Sequence, residues 1–204
     1  MTSLEGPALH ASTAIEAHPL QPFIPERACL LMLGSFPPPR KRWSMDFFYP
    51  NFLNDMWRIY GLIYRGDKNA FVDLEHKRFR REELIDFLTD LGVALYDTAE
   101  NVRRQNGNAS DKYLEIVRQT DVRHLLSRMP DCRAIAATGQ KSVETLGENL
   151  QLPSLPAIGQ WVPYRFQDME IRCYRMPSTS RAYPLALEKK AAIYAAMLRD
   201  LKML

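Results

Sequence analysis

A three-layer α/β/α sandwich around a mainly parallel four-stranded sheet is the fold that this sequence predicts, and three observations carry it. Four short runs are continuously apolar rather than alternating, which suits strands covered on both faces. They are residues 28–33 (ACLLML), 92–96 (GVALY), 133–137 (RAIAA) and 171–176 (IRCYRM). The segments between them carry the spacing of helices. Strands separated by helices imply crossover connections and therefore parallel pairing.

The elements follow in order. Residues 1–18 are small and polar without a usable period, so residues 1–20 are expected to form a loosely ordered arm and residues 21–204 a single domain. After the first apolar run, apolar residues at 52, 53, 56, 59, 60 and 63 predict a helix over 52–64. Further helices are expected over 82–91, 121–129 and 140–150, each placed between two of the apolar runs. The chain ends in a helix over 184–204, with Leu187, Ala191, Tyr194, Leu198 and Leu201 on one stripe and Pro184 suited to its first position.

Composition narrows the function. The chain has 204 residues, 46% of them hydrophobic, long enough to close a core without staples. Twenty-seven Lys and Arg against 24 Asp and Glu give +3, a total that neither demands nor excludes a polyanionic partner. The longest of the apolar runs is far short of the roughly 20 residues of a membrane span. No Lys or Arg precedes Arg27, so the basic flank of a secretory signal is missing and a cytoplasmic location is expected. Cys29, Cys132 and Cys173 lie apart in apolar runs, which reads as reduced thiols and cannot build a four-cysteine cluster. His10, His18, His76 and His124 have no metal-ligand spacing, so neither metal nor cofactor is expected.

In parallel sheets ligands bind beyond the carboxyl ends of the strands. The four runs lead into Gly34-Ser35-Phe36-Pro37-Pro38-Pro39, Asp97-Thr98, Thr138-Gly139 and Pro177-Ser178-Thr179-Ser180, which together outline a pocket. Residues 43–60 hold seven of the 21 aromatics, directly after Arg40-Lys41-Arg42. Cations for phosphates beside rings for stacking suit a nucleic-acid binder; equally, Trp43, Phe47 and Phe48 can be core and the cations a solvated turn. Asn51, Asn54 and Asp55 can cap the helix or place an amide or carboxylate to position water. Asp97 can face the site or cap the segment after it. Ser178, Thr179, Ser180 and Arg181 can grip phosphate or form an ordinary turn. The run 77–81 (KRFRR) reads as a solvated face, and Arg103-Arg104 as a further basic stretch. No G-x-S-x-G, G-x-x-x-x-G-K-[ST] or G-x-G-x-x-G is present, which argues against acyl hydrolases, nucleoside triphosphatases and dinucleotide enzymes.

Taken in order, LLMLGSFPPP, FFYPNFLNDMW, GVALYDTAENVRRQNGNASD, AIAATG and MPSTSRA resemble the uracil-DNA glycosylase superfamily, and most nearly its hypoxanthine-DNA glycosylase-like and mismatch-specific branches. The resemblance covers residues 22–198. It implies the same sandwich, a monomer, and a metal-free enzyme that flips a damaged base from single- or double-stranded DNA and hydrolyses its N-glycosidic bond. It further implies that Gly34, Ser35, Phe36 and Pro37 approach the base and sugar, that Tyr49 stacks on the base, and that Asn54 carries catalysis. Asp97 would stand where uracil enzymes place a base-reading Asn. Ser178, Thr179 and Ser180 would grip the DNA backbone, with Arg40, Lys41, Arg42, Arg103, Arg104 and Arg181 as a basic rim.

The sequence departs from the pattern in five places, one of them Arg181, which replaces a common Pro and can plug the gap left by a flipped base or bind phosphate. Ser35-Phe36 lacks the water-activating Asp or Asn of uracil-specific members, and Met176 replaces a His. Asp55 follows Asn54 where relatives often have Arg, and is a second candidate to position water. Asp97 in place of Asn accepts only, which favours a deaminated purine or another base presenting N–H over uracil. Two other readings remain: a non-catalytic nucleic-acid-binding protein with this fold, and a small-molecule hydrolase.

Overall fold

The computed structural model describes residues 14–104 and 113–204. At its centre lie β2 (Leu30–Gly34), β5 (Val93–Asp97) and β8 (Ala134–Thr138), in which every residue is buried. Burial on both faces explains why these runs are continuously apolar. With β10 (Met169–Met176) and β9 (Trp161–Phe166) they form one sheet in the order β5-β2-β8-β10-β9. The first four strands are parallel, and β9 pairs antiparallel to β10 at the edge.

The sheet therefore has five strands rather than four. Strand β9 escapes the apolar-run criterion because only one of its faces is covered. Its exposure alternates residue by residue, and it carries Pro163, a residue tolerated at an edge where a missing N–H breaks no ladder.

A second, three-stranded antiparallel sheet has the order β1-β6-β7 and was not expected. It joins β1 (Glu16–Ala17), β6 (Ala99–Arg104) and β7 (Leu114–Gln119). Glu16 and Ala17 pair with Val102 and Asn101, so the arm expected up to residue 20 is ordered from its strand onward, while residues 1–13 lie outside the described residues. Arg103 and Arg104 sit within β6 and not in a loop. The QNGN of residues 105–108 also lies outside the described residues. A short pair, β3 (Val72–Asp73) with β4 (Arg78–Phe79), buries Phe79 under the basic run, whose Arg78, Arg80 and Arg81 are ion-paired to Asp73, Glu83 and Glu82.

The helices fall where the spacing placed them, with shorter ends in α1, α3 and α5: α1 (Met56–Arg65), α2 (Arg81–Leu91), α3 (Val122–Ser127), α4 (Gln140–Leu150) and α5 (Leu187–Asp200). Pro184 precedes α5, which starts after Ala186. Residues 52–54 form the turn ahead of α1. Helix α1 buries Met56, Trp57, Ile59 and Tyr60 and packs against α5, which buries Tyr194, Met197 and Leu198. No helix among the described residues is long and apolar enough to cross a membrane.

Candidate functional site

The register of the parallel strands decides which residues meet. Gly34 pairs with Asp97, and Thr138 with Met176, so four strand ends stand side by side at one edge. Beyond them opens a cleft of about 500 Å³, lined by the segment from Gly34 to Pro38, Arg42, the stretch from Phe48 to Asn51, Asn54, Asp97, Thr138, Ser178, Thr179, Ser180, Ala182, Tyr183 and Pro184. The size lies within the range of small-ligand sites.

The floor is built by close approach. A Cβ on Gly34 would stand 2.2 Å from Asp97 Oδ1, so only glycine lets this carboxylate lie over the end of β2. Asp97 Oδ2 lies 2.9 Å from Nε2 of His18, and both side chains are almost fully buried. Among the described residues no hydrogen bond reaches Oδ1, and Asp97 is the only carboxylate that lines the cleft. His18 comes from the segment just after β1. It packs edge-on against Phe36, with ring centres 5.3 Å apart, and lies 4.6 Å from Tyr96.

Tyr49 forms one wall. Its φ of +48° is in the left-handed region, which bulky residues rarely occupy and which cleft residues often do. The Thr138 hydroxyl lies 3.3 Å from Leu33 O and donates to it, so the Tyr49 phenol donates to Thr138 Oγ1 at 3.1 Å. Burial, and then the nearby Asp97 charge, push the Tyr49 phenol well up from its ordinary value.

The opposite wall is a rigid turn. Asn54 N–H donates to Asn51 O, Leu53 N–H to Asn51 Oδ1, and Met56 N–H to Asn54 Oδ1. The Arg58 guanidinium donates to the carbonyls of Phe52 and Asn54 and lies over the rings of Phe52 and Phe79. Burial first, and then the charge of Arg181, lower the Arg58 pKa. Asn54 also forms a β-bridge to Ser180. Its side chain thus accepts from the first N–H of α1 while the residue lines the cleft.

Asp55 stands elsewhere. Its backbone N–H donates to Thr179 O, and its carboxylate accepts from Lys190 Nζ at 2.9 Å and Arg181 Nε at 3.1 Å, outside the cleft wall. Lys190 is fully buried on α5 and also donates to Ser180 O. The pairing of Asp55 with two cations under the 178–181 loop makes it a buttress of that loop, which corrects the expectation of Asp55 as a water-positioning group. Ser178 and Ser180 hydroxyls accept from Ser180 N–H and Ala182 N–H, as in an ordinary Ser/Thr turn, while their residues line the cleft.

The basic rim is thinner than expected. Arg104 is buried, donates to Glu16 Oε2 and to Pro37 O, and lies over Phe36, so it braces the first loop instead of facing outward. Arg103 pairs with Glu115, and Arg181 with Asp55. Arg40 stacks 4.0 Å over Trp43 and pairs with Asp46. Lys41 and Arg42 are exposed, and Arg42 lines the cleft. Of the seven clustered aromatics, Phe47, Phe48, Trp57 and Tyr60 belong to the core; Trp43, which the simpler reading also placed there, is half-buried outside it and donates to Pro38 O, while Tyr49 and Phe48 reach the cleft. No group of three or more His, Cys, Asp or Glu side chains converges among the described residues.

The residue that sequence reading missed is His18. Its partner is 79 positions away, and no local pattern marks a lone His beside Pro19 as part of a site.

Among solved structures, the chain is similar to a solution NMR structure of a Methanosarcina acetivorans protein whose assignment as a uracil-DNA glycosylase is itself provisional. The two share 20% sequence identity, with 93% of this chain and 99% of that chain covered at a TM-score of 0.57. At this identity the likeness establishes a common fold, a mixed α/β architecture with a parallel-rich central sheet. No protein-family model matches the chain. No curated protein matches it either.

Proposed function

We propose that the protein is a DNA glycosylase that takes a damaged base into the cleft and hydrolyses its N-glycosidic bond. The observation that carries this reading is the convergence at one strand-end cleft of a buried acceptor, Asp97, a pinned amide, Asn54, and an aromatic, Tyr49. An extruded base needs a slot with polar groups for its edge and a π face, and hydrolysis needs a held water. Asn54 orients the water, Tyr49 stacks on the base, and Asp97 meets the base edge. Arg42 with the amides of Ser178 and Thr179 takes the flanking phosphates. The fold shared with the Methanosarcina protein supports the reading without carrying it.

A carboxylate accepts hydrogen bonds and does not donate them, so the favoured bases are those that gain a ring N–H on deamination, N1–H in hypoxanthine and xanthine and N3–H in uracil; Ser35-Phe36, which offers no Asp or Asn to activate water as uracil-specific glycosylases have, sets uracil behind the purines. No lysine lines the cleft among its described residues, and the reading is of a monofunctional enzyme that leaves an intact abasic strand.

The test is an excision assay on single- and double-stranded oligonucleotides holding hypoxanthine, xanthine or uracil, with Asn54→Ala as control. Release of a purine base, with strand breakage only after alkali, is expected. A strong uracil preference overturns the base assignment. Salt-dependent DNA binding without excision of any base identifies a non-catalytic binder, and neither binding nor excision points to a small-molecule hydrolase.

A further inference from the structure

Asp97 has two oxygens in different surroundings, and the difference is made by His18. Oδ2 is 2.9 Å from His18 Nε2. A carboxylate has no proton to give, so the imidazole donates from Nε2. Nδ1 then faces Leu20, 3.2 Å from its N–H and 2.9 Å from its carbonyl, so the backbone can serve this nitrogen as acceptor or as donor. Both ring nitrogens are engaged, and Phe36 and Tyr96 hold the ring plane. Oδ1 is left over Gly34, without a protein donor among the described residues, in a residue that lines the cleft.

We propose that His18 is a specificity-setting residue: by occupying Oδ2 it leaves Oδ1 as a fixed lone acceptor that selects a nucleobase with a ring N–H over one with a bare ring nitrogen. The selection follows from lone pairs. Deamination turns N1 of adenine, an acceptor, into N1–H of hypoxanthine, a donor. Oδ1 attracts the second and is repelled by the first, and a buried acceptor left unpaired is costly. His18 is a positioning residue, acting through Asp97. Its placement by β1, whose Glu16 is held by Arg104 together with Pro37 O, links the segment after the amino-terminal strand to the loop that forms the cleft floor.

The inference rests on the cleft being a nucleobase site, so its test reads binding as well as excision. Calorimetric titration of the full chain with free hypoxanthine and with 1-methylhypoxanthine, which lacks the N–H, is expected to show a preference of about 10- to 100-fold for the unmethylated base. His18→Gln, whose amide can still donate, is expected to keep the preference. His18→Leu is expected to lose it even where circular dichroism shows a folded chain, and Asp97→Asn, which alters the acceptor directly, to lose it too. A purely structural role lowers both affinities in parallel and leaves their ratio unchanged. An unchanged ratio in folded His18→Leu overturns the proposal, as does wild-type protein that binds both bases alike or neither. If His18→Leu does not fold, the other two variants decide, and a ratio kept by Asp97→Asn or lost by His18→Gln overturns the proposal. Preference for the N–H base without excision in any oligonucleotide keeps this inference and removes the glycosylase reading. Excision with no such preference does the reverse.

Discussion

Adding one methyl group at Gly34 is the sharpest perturbation the cleft offers. In Gly34→Ala the new Cβ would stand 2.2 Å from Asp97 Oδ1, and ordinary contact begins near 3.4 Å, so the carboxylate must retreat by about 1.2 Å. The backbone cannot yield instead, because Gly34 and Asp97 are paired strand residues and Thr98 N–H donates to Gly34 O. The retreat breaks the hydrogen bond from His18 to Oδ2. A hydrogen bond to a charged group contributes about 1.5–3 kcal/mol, and overpacking costs about 1–3 kcal/mol. The expected loss is therefore about 2.5–6 kcal/mol, seen as a fall of roughly 5–24 °C in melting temperature for a chain of this size. A misplacement of about 1 Å in a catalytic cleft lowers rate by about 100-fold, so excision of the best substrate should fall by that order well below the melting temperature. Thermal unfolding by circular dichroism and single-turnover excision on the same preparations provide both readouts. A melting temperature within 1 °C of wild type, together with undiminished excision, would refute the account of Asp97 lying over Gly34.

Four further outcomes are expected of the same structure. Lys190→Met leaves Asp55 buried with Arg181 as its remaining cation, and should destabilise by about 3 kcal/mol in urea unfolding; adding Asp55→Leu should restore most of this, because no charge is then buried unpaired. Asn54→Ala should abolish excision and, through loss of the hydrogen bond from Met56 N–H, lower melting temperature by only about 2–4 °C, whereas Asp55→Asn should lower melting temperature more than rate, and the opposite pattern would return Asp55 to the chemistry. Arg42→Ala should weaken DNA binding uniformly across sequences and reduce the slope of log affinity against log salt by about 1, while Arg104→Ala should act through stability. Burial pushes the thiols of Cys132 and Cys173 and the phenols of Tyr64, Tyr96 and Tyr174 up to about 12. In the unfolded chain thiols ionise near pH 9 and phenols near 10, so the folded state binds more protons above that range and loses stability as pH rises. Melting temperature should be level from pH 7 to 9 and fall from 9 to 12, with the part of the tyrosinate absorbance at 295 nm that belongs to these buried phenols appearing on unfolding.

What could be read from sequence depended on whether a signal is local. The strands β2, β5, β8 and β10 are legible because burial on both faces leaves no polar position to interrupt an apolar run, and the helices because one covered face repeats every 3.6 residues. Strand β9 has one covered face and a proline, and β1 has only Glu16 and Ala17, so neither carries a run long enough to see. Arg104 shows the same limit for charge. Two adjacent arginines in β6 point to opposite faces, as the period of a strand requires, so Arg103 reaches Glu115 at the surface and Arg104 is buried against Glu16.

The amino-acid sequence by itself determined the order of the four parallel strands and the helices between them, and with it the edge at which Gly34, Asp97, Thr138 and Ser178 gather, because parallel strands deliver their carboxyl ends to one side. Tertiary structure alone decided what those residues are. It placed Asp55 between Lys190 and Arg181 and left Asn54, its neighbour, on the cleft wall. It brought His18 to one oxygen of Asp97 and left the other over Gly34 without a protein donor among the described residues. The physical reason is that a hydrogen-bond partner is chosen by distance in space, and between residues 79 positions apart no pattern in the chain encodes that distance.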